Sequence, residues 1–394
     1  VTDNPAGSYL ADHEGELIAF RRDLHRHPEL GRSEQRTTAA VATALQAAGL
    51  SPELMPVSGL WCDIGDAGDP AGPTVLLRAD LDALPLDDPK DVEYHSVNPG
   101  VCHACGHDVH TAIVLGAGLA LSQIACQDGL PGRVRLVFQP AEEVMPGGAL
   151  DVIQAGLVDS VALALALHCD PTLEAGRIGL RSGPITAASD MVAVHLRGPG
   201  GHTSRPHNSV DLAYALGKLL TDLPAALTRL IDPRAAVTLV WGRVEAGTVS
   251  NAIPQSATAR GTVRVLDRDI WASVPEVLER VAGQLVAPYG AQVEVEYRRG
   301  VPPVVNDARA VALLGAAADA ALGQDAATTT SQSLGGEDFG WYLERVPGAM
   351  ARLGVRPPGA APYDLHQPGF DVDERCIGVG VRLLTEAALL GLRS

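Results

Sequence analysis

Apolar positions along this chain follow two rhythms. Gly15–Leu30 places Leu17, Ile18, Phe20 and Leu24 at helical spacing, and Pro28 ends the run. Gln35–Leu50 predicts a second helix, rich in Ala and closed by Gly49. Thr74–Leu77 (TVLL) is a short continuous apolar run, the pattern of a strand buried in a parallel sheet. Arg133–Gln139 (RVRLVFQ) and Val161–Leu167 (VALALAL) predict two more strands. Between them, Thr111–Gln127 carries no charge. At 17 residues, with Gly116, Gly118 and Ser122 inside it, it predicts a buried helix rather than a membrane span. Strands alternating with helices give an α/β class.

The texture changes near residue 188. Met191–Leu196, Ala236–Arg243, Ala257–Val265 and Gln292–Tyr297 read as strands, and Ser209–Leu220 and Trp271–Val286 as helices. The order β-α-β-β-α-β is ferredoxin-like. Helix and strand signals resume at Arg309–Leu322, Asp338–Val346 and Asp373–Leu390. The expected organisation is therefore a discontinuous α/β domain, 1–187 and 300–394, interrupted by an inserted α+β domain, 188–299.

Composition narrows the function classes. The 46% hydrophobic and 20% charged residues are those of a globular chain and exclude bulk disorder. Lys+Arg is 30 against 47 Asp+Glu, a net charge of −17, so the basic footprint of a nucleic-acid binder is missing. Val1–Gly15 contains no apolar core of a secretory signal. The six cysteines show no regular framework, so reduced thiols and a cytoplasmic location are expected.

Candidate chemistry gathers where the predicted strands end. Cys105 and His107, separated by one glycine, can both reach one ion if the backbone bends at Gly106. A redox pair of Cys102 with Cys105, or a lone reactive thiol, are the other readings of that segment. Glu142-Glu143 follows a strand. One carboxylate can ligate a metal while the other takes a proton from the attacking water, unless the pair is a solvated acidic turn. His168 ends an apolar run and reads as a ligand or a hydrogen-bonded core histidine. His366, in a Gly/Pro-containing loop, reads as a ligand or an exposed residue.

Taken together, RRDLHRHPEL, LLRADLDALP, HACGHDVHT, VFQPAEE, ALALHCD, GGHTSRPH, VSNAIPQSATARGTVR, LGGEDFGWY and YDLHQPGFDVDE run in order from residue 21 to 374. They resemble the M20 metallopeptidase/amidohydrolase family, in its branch of N-acyl-amino-acid, hippurate and indole-acetyl-amino-acid hydrolases. The resemblance implies an exopeptidase-like catalytic domain, a mixed sheet flanked by helices, with the inserted domain as lid and dimerisation element. It implies a site of Cys105, His107, Glu143, His168 and His366 for one or two divalent ions per subunit (Zn, Mn, Ni or Co). Glu142 is the implied general base and acid, and Asp82 a buried acid that orients a ligand. Asp80 stands where other branches have a histidine ligand, and Cys102 where similar sequences have a bulky apolar residue. His202 is implied to reach the partner's active site in a homodimer. Asn251 and Arg264 are implied to hold the substrate carboxylate, with Gly335 and Gly336 as a close-approach loop. His110, His207 and Glu34 are candidates for places near the site, and each keeps an ordinary structural reading.

The expected function is hydrolysis of a small N-acyl amino acid or dipeptide-like amide, with neither nucleic acid nor membrane as partner. Two other classes remain at this point: a non-catalytic binding protein on the same scaffold, and a thiol hydrolase with Cys105 as nucleophile.

Overall fold

The computed structural model describes residues 4–65 and 72–394; the first three residues of the Val1–Gly15 stretch lie outside them. The chain forms two compact units. One is Val1–Gly183, Val305–Ser331 and Trp341–Ser394; the other is Pro184–Val304 and Gln332–Gly340.

The first unit opens with helices Gly7–Arg26 (α1) and Gln35–Ala47 (α2) and strands Glu53–Leu54 (β1), Leu60–Ile64 (β2) and Thr74–Asp80 (β3). Helix His107–Asp128 (α3), strand Arg133–Gln139 (β4), helix Ala149–Gln154 (α4) and strands Val161–Glu174 (β5), Ile178–Leu180 (β6) and Gly183–Pro184 (β7) follow. In the second unit come strands Ala188–Arg197 (β8) and Gly201–His202 (β9), helix Leu212–Leu230 (α5), and strands Thr238–Ala246 (β10), Ala252–Ile253 (β11) and Ser256–Val265 (β12). Helix Arg268–Val286 (α6) and strand Gln292–Val301 (β13) complete that stretch. The chain returns through Val305–Asn306 (β14), helix Ala308–Leu322 (α7), Ala327–Thr329 (β15), the one-turn helix Gly340–Leu343 (α8), Gly348–Arg356 (β16) and helix Arg375–Gly391 (α9).

The first unit is built on an eight-stranded sheet in the order β1-β2-β4-β3-β5-β16-β6-β15. Strands β4, β3, β5 and β16 pair parallel, whereas β2 on β4 and β6 on β16 are antiparallel, so the sheet is mixed. The four parallel strands are buried almost throughout, as strands covered on both faces must be. Helix α3 packs between α1 and α9, and α7 packs on α9 and β16. By length and composition α3 could cross a membrane, but 67% of its apolar window is buried, which makes it a core helix.

Three elements differ from the sequence expectation. Strand β5 runs on past Leu167 to Glu174, carrying His168 inside the sheet rather than at its edge. The signal at Asp338–Val346 yields only the single turn α8. Strand β16, a neighbour of β5, had no sequence forecast, because Gly348, Arg352 and Gly354 interrupt its apolar run.

In the second unit, β10-β12-β8-β13 form an antiparallel sheet. The element order is β-α-β-β-α-β. Both helices start on an aspartate cap: Asp211 accepts from the Tyr214 amide and Asp267 from the Ile270 amide. Leu212, Leu216, Leu219, Leu223 and Leu227 give α5 its buried stripe, and α5 packs on α6 and β10.

Candidate metal centre

The site lies at the C-terminal ends of neighbouring parallel strands, where open α/β sheets place their chemistry. Strand β3 ends on Asp80 and leads to Asp82; β4 leads to Glu142 and Glu143; β5 carries His168. The turn before α3 supplies Cys105 and His107. Gly106 between them has φ 92°, and a Cβ there would lie 2.6 Å from Cys169 Sγ, so only glycine fits the bend.

These side chains converge. Cys105 Sγ lies 3.5 Å from His168 Nε2, and His366 Nε2 lies 3.1 Å from Glu143 Oε1. The donor atoms of Cys105, His107 and His168 are all within 4.8 Å of one another, as are those of Cys105, Glu143 and His366, and of His107, Glu142 and Glu143. His168 Nδ1–H donates to the Cys169 carbonyl at 2.8 Å, which leaves its Nε2 lone pair facing Cys105. His107 Nδ1–H donates to Asp82 Oδ1 at 3.3 Å, and its buried Nε2 makes no hydrogen bond. A buried imidazole nitrogen with no hydrogen bond costs stability, and a metal ion is a partner that this nitrogen can take once it gives up its proton. A thiolate, three imidazoles and a carboxylate suit zinc, cobalt, nickel or manganese. The residues fit one or two divalent ions.

Two buried carboxylates hold the Glu142-Glu143 turn. Glu34 accepts from the Ala141 amide at 2.7 Å, and Asp82 accepts from the Glu142 and Glu143 amides at 3.0 and 2.9 Å. Ala141 itself sits at φ 56°, a conformation an alanine holds only when its surroundings fix it. Glu34 therefore positions the site. Nothing in the sequence marks that role, which depends on the start of α2 meeting a turn more than a hundred residues away.

Without a metal, burial and the nearby Glu143 and Glu142 carboxylates push the Cys105 thiol well up. Burial drives His168 well down, which keeps it neutral as a ligand must be. Burial opposes protonation of His107, but the Asp80 carboxylate and the hydrogen bond to Asp82 outweigh it and raise it to about 10. Cys102 and Cys105 are both free thiols; Cys102 lies buried, 3.7 Å from Lys90 Nζ.

A model of the peptidase family M20/M25/M40 matches residues 76–390. This chain belongs to that family. An N-acetyl-L-cysteine deacetylase of Bacillus subtilis is 36% identical over 96% of this chain and 89% of its own length. A Rhodococcus jostii protein bearing a glutamate–cysteine ligase name is 50% identical over 94% of this chain, but the chain spans only 46% of that protein's length. The crystal structure of the Bacillus subtilis YxeP protein, described as a dinuclear metal-binding M20 peptidase, superposes with TM-score 0.85 at 34% identity, covering 98% and 99% of the two chains.

In this M20 chain the remaining predicted residues belong to the second unit. His202 is exposed on β9, paired with Ala252, and Thr203 donates its amide to the Asn251 carbonyl at 3.4 Å. Arg264 lies on β12 of the four-stranded sheet, opposite Ser189 near the start of β8. The Gly335-Gly336 loop approaches the same residue: a Cβ on Gly336 would lie 2.8 Å from Ser189 Cβ. Ser189, the second residue of β8, and Arg197, its last, are about 26 Å apart at the usual rise per residue. Within one unit, Arg264 and Gly336 thus stand at one end and His202 and Asn251 beyond the other.

Proposed function

We propose that this chain hydrolyses the amide bond of N-acyl amino acids, or of related small amides and dipeptides, with Glu142 as general base and then general acid. One observation carries the reading: the donors of Cys105, His107, Glu143, His168 and His366 converge beside Glu142, on a turn pinned by Asp82 and Glu34. Those five residues would hold one or two divalent ions, which would supply a lowered water pKa and a polarised amide carbonyl. Glu142 accepts the water proton and returns it to the departing nitrogen. Asp82 fixes the ring of His107 through Nδ1 and, through two amides, the backbone of both glutamates. The names of relatives, a deacetylase of N-acetyl-L-cysteine among them, support an acyl amino acid as substrate.

Arg264 is the group proposed to take the substrate carboxylate, and the Gly335-Gly336 loop beside Ser189 allows its backbone to come close. His202 and Asn251 lie too far along β8 to meet the same small substrate as Arg264 of their own chain. That separation supports a homodimer in which the second unit serves as lid and interface, and His202 stabilises the oxyanion in the partner's site. A thiolate ligand at Cys105 needs a reducing compartment, which supports a cytoplasmic location.

Two experiments test this. E142Q is expected to keep its metal, measured by elemental analysis, and to lose at least about 100-fold in kcat; loss of the metal instead would make Glu142 a ligand. Mixing inactive E142Q with inactive H202A is expected to restore activity on subunit exchange, and a mixture that stays inactive refutes the trans-acting histidine.

A further inference from the structure

Two donor clusters overlap at His107. One is Cys105, His107 and His168, continued by Glu143 and His366. The other is Asp80, His107 and His110, whose donor atoms also lie within 4.8 Å of one another. Two imidazoles and a carboxylate make a sound site for zinc or manganese, so something must decide between the sets.

The second cluster is closed from behind. His110 has both ring nitrogens engaged: Nδ1–H donates to Asp80 Oδ1 at 2.6 Å, and Nε2 accepts from the Cys169 amide at 2.9 Å. The other oxygen of Asp80, Oδ2, lies 3.7 Å from His107 Nε2. Two donors each about 2.1 Å from one ion can be up to about 4.2 Å apart, so Oδ2 is within reach of an ion bound at that nitrogen. What holds it back is Arg78, whose guanidinium donates to Oδ2 at 2.5 Å.

Arg78 stands two residues before Asp80 on β3, so both side chains leave the same face of the sheet. Its side chain is 1% exposed, and its Nε donates to Gln139 Oε1 at 3.1 Å. The same oxygen accepts from the Tyr342 hydroxyl at 2.9 Å. A buried guanidinium held this way is a fixed cation, and a charge-assisted contact of this length must be broken or shared before Oδ2 can ligate an ion.

We propose that Arg78 is a metal-selectivity residue: by pairing with Asp80 it keeps a hard oxygen out of the ligand set and leaves the ion to Cys105, His107, Glu143, His168 and His366. The proposal rests on the reading of those five residues as ligands. Removing Arg78 frees Oδ2 to join His107, and an added carboxylate shifts preference from zinc towards manganese.

The test strips the full-length protein with chelator and measures competitive binding of Mn2+ and Zn2+, with the visible spectrum of the Co2+ form as second readout. R78M is expected to raise the Mn2+-to-Zn2+ affinity ratio about tenfold, and R78M/D80N to return it to the wild-type value. A ratio in R78M within about twofold of wild type, or a gain that survives in R78M/D80N, overturns the proposal. Should R78M fail to fold, D80N decides: with Arg78 in place Asp80 is no ligand, so the Co2+ spectrum must stay unchanged, and a changed spectrum overturns the idea. C105A separates the two readings, since it must abolish the thiolate-to-cobalt band. A band that persists there refutes the ligand set rather than the role of Arg78.

Discussion

Replacing Asp82 by Asn removes one oxygen from a side chain that three groups share. Oδ1 accepts from His107 Nδ1 at 3.3 Å and from the Glu142 amide at 3.0 Å, while Oδ2 accepts from the Glu143 amide at 2.9 Å. Whichever way the amide turns, its NH2 faces an N–H donor. At best the Glu143 amide alone loses its acceptor; at worst His107 and Glu142 both do. One lost bond to a charged acceptor is worth about 1.5–3 kcal/mol, or about 10- to 150-fold in an equilibrium constant. The loss falls on metal affinity, because His107 and Glu143 are both held by Asp82, and on kcat at saturating metal, because Glu142 loses its anchor. Zinc competition against a chromogenic chelator gives the first quantity and turnover in excess zinc the second, with thermal unfolding of the metal-free proteins as a check on folding. A zinc affinity within about twofold of wild type in a folded D82N would refute the argument that this carboxylate organises the site.

Other perturbations are expected to read out separate parts of the structure. G106A forces a Cβ against Cys169 Sγ at φ 92° and is expected to cost at least about 2 kcal/mol in urea unfolding; adding C169A should remove the Sγ contact but leave the Cβ of residue 169 at 3.0 Å and the backbone strain. The Arg264 side chain makes no hydrogen bond or ion pair among the described residues, and burial lowers its pKa against the opposing pull of Asp190. R264A is expected to raise KM about tenfold or more for carboxylate substrates and to leave an N-acyl amide without a carboxylate unaffected. Burial raises Cys62 from 9.0 to about 11. The unfolded chain releases that proton first, so this thiol makes stability fall as pH rises from 9.0 to about 11, and urea midpoints of C62V should fall less across that window than those of wild type.

The sequence reveals the elements and the chemistry unequally. Strand β4 has the expected bounds because Pro131-Gly132 and Pro140 punctuate it. Strand β16 stays hidden because it needs small residues: a Cβ on Gly348 would lie 2.1 Å from the Ala164 carbonyl, so close strand contact erases the apolar signal. Cys105, His107, Glu142, Glu143 and His168 stand out by residue type, each with an ordinary structural reading beside the chemical one, and His366 reads equally as an exposed loop residue; only the resemblance to the M20 family joins the six into one set. His110, three residues after His107 on α3, shares its face, yet its engagement by Asp80 and Cys169 follows from tertiary contact alone. The placing of Arg264 and His202 at opposite ends of β8 follows from strand register, which local pattern does not fix.

The second unit is not a single stretch of chain. Pro184–Val304 is completed by Gln332–Gly340, so the backbone crosses between units four times. A segment exchanged by one recombination event between 184 and 304 would therefore leave its Gly335-Gly336 loop behind, and Ser189 of the newcomer would meet a loop shaped for another sheet. An exchange of this part of the molecule must carry both segments together. Substrate preference, if Arg264 and that loop set it, would then be inherited as a linked pair rather than as a cassette.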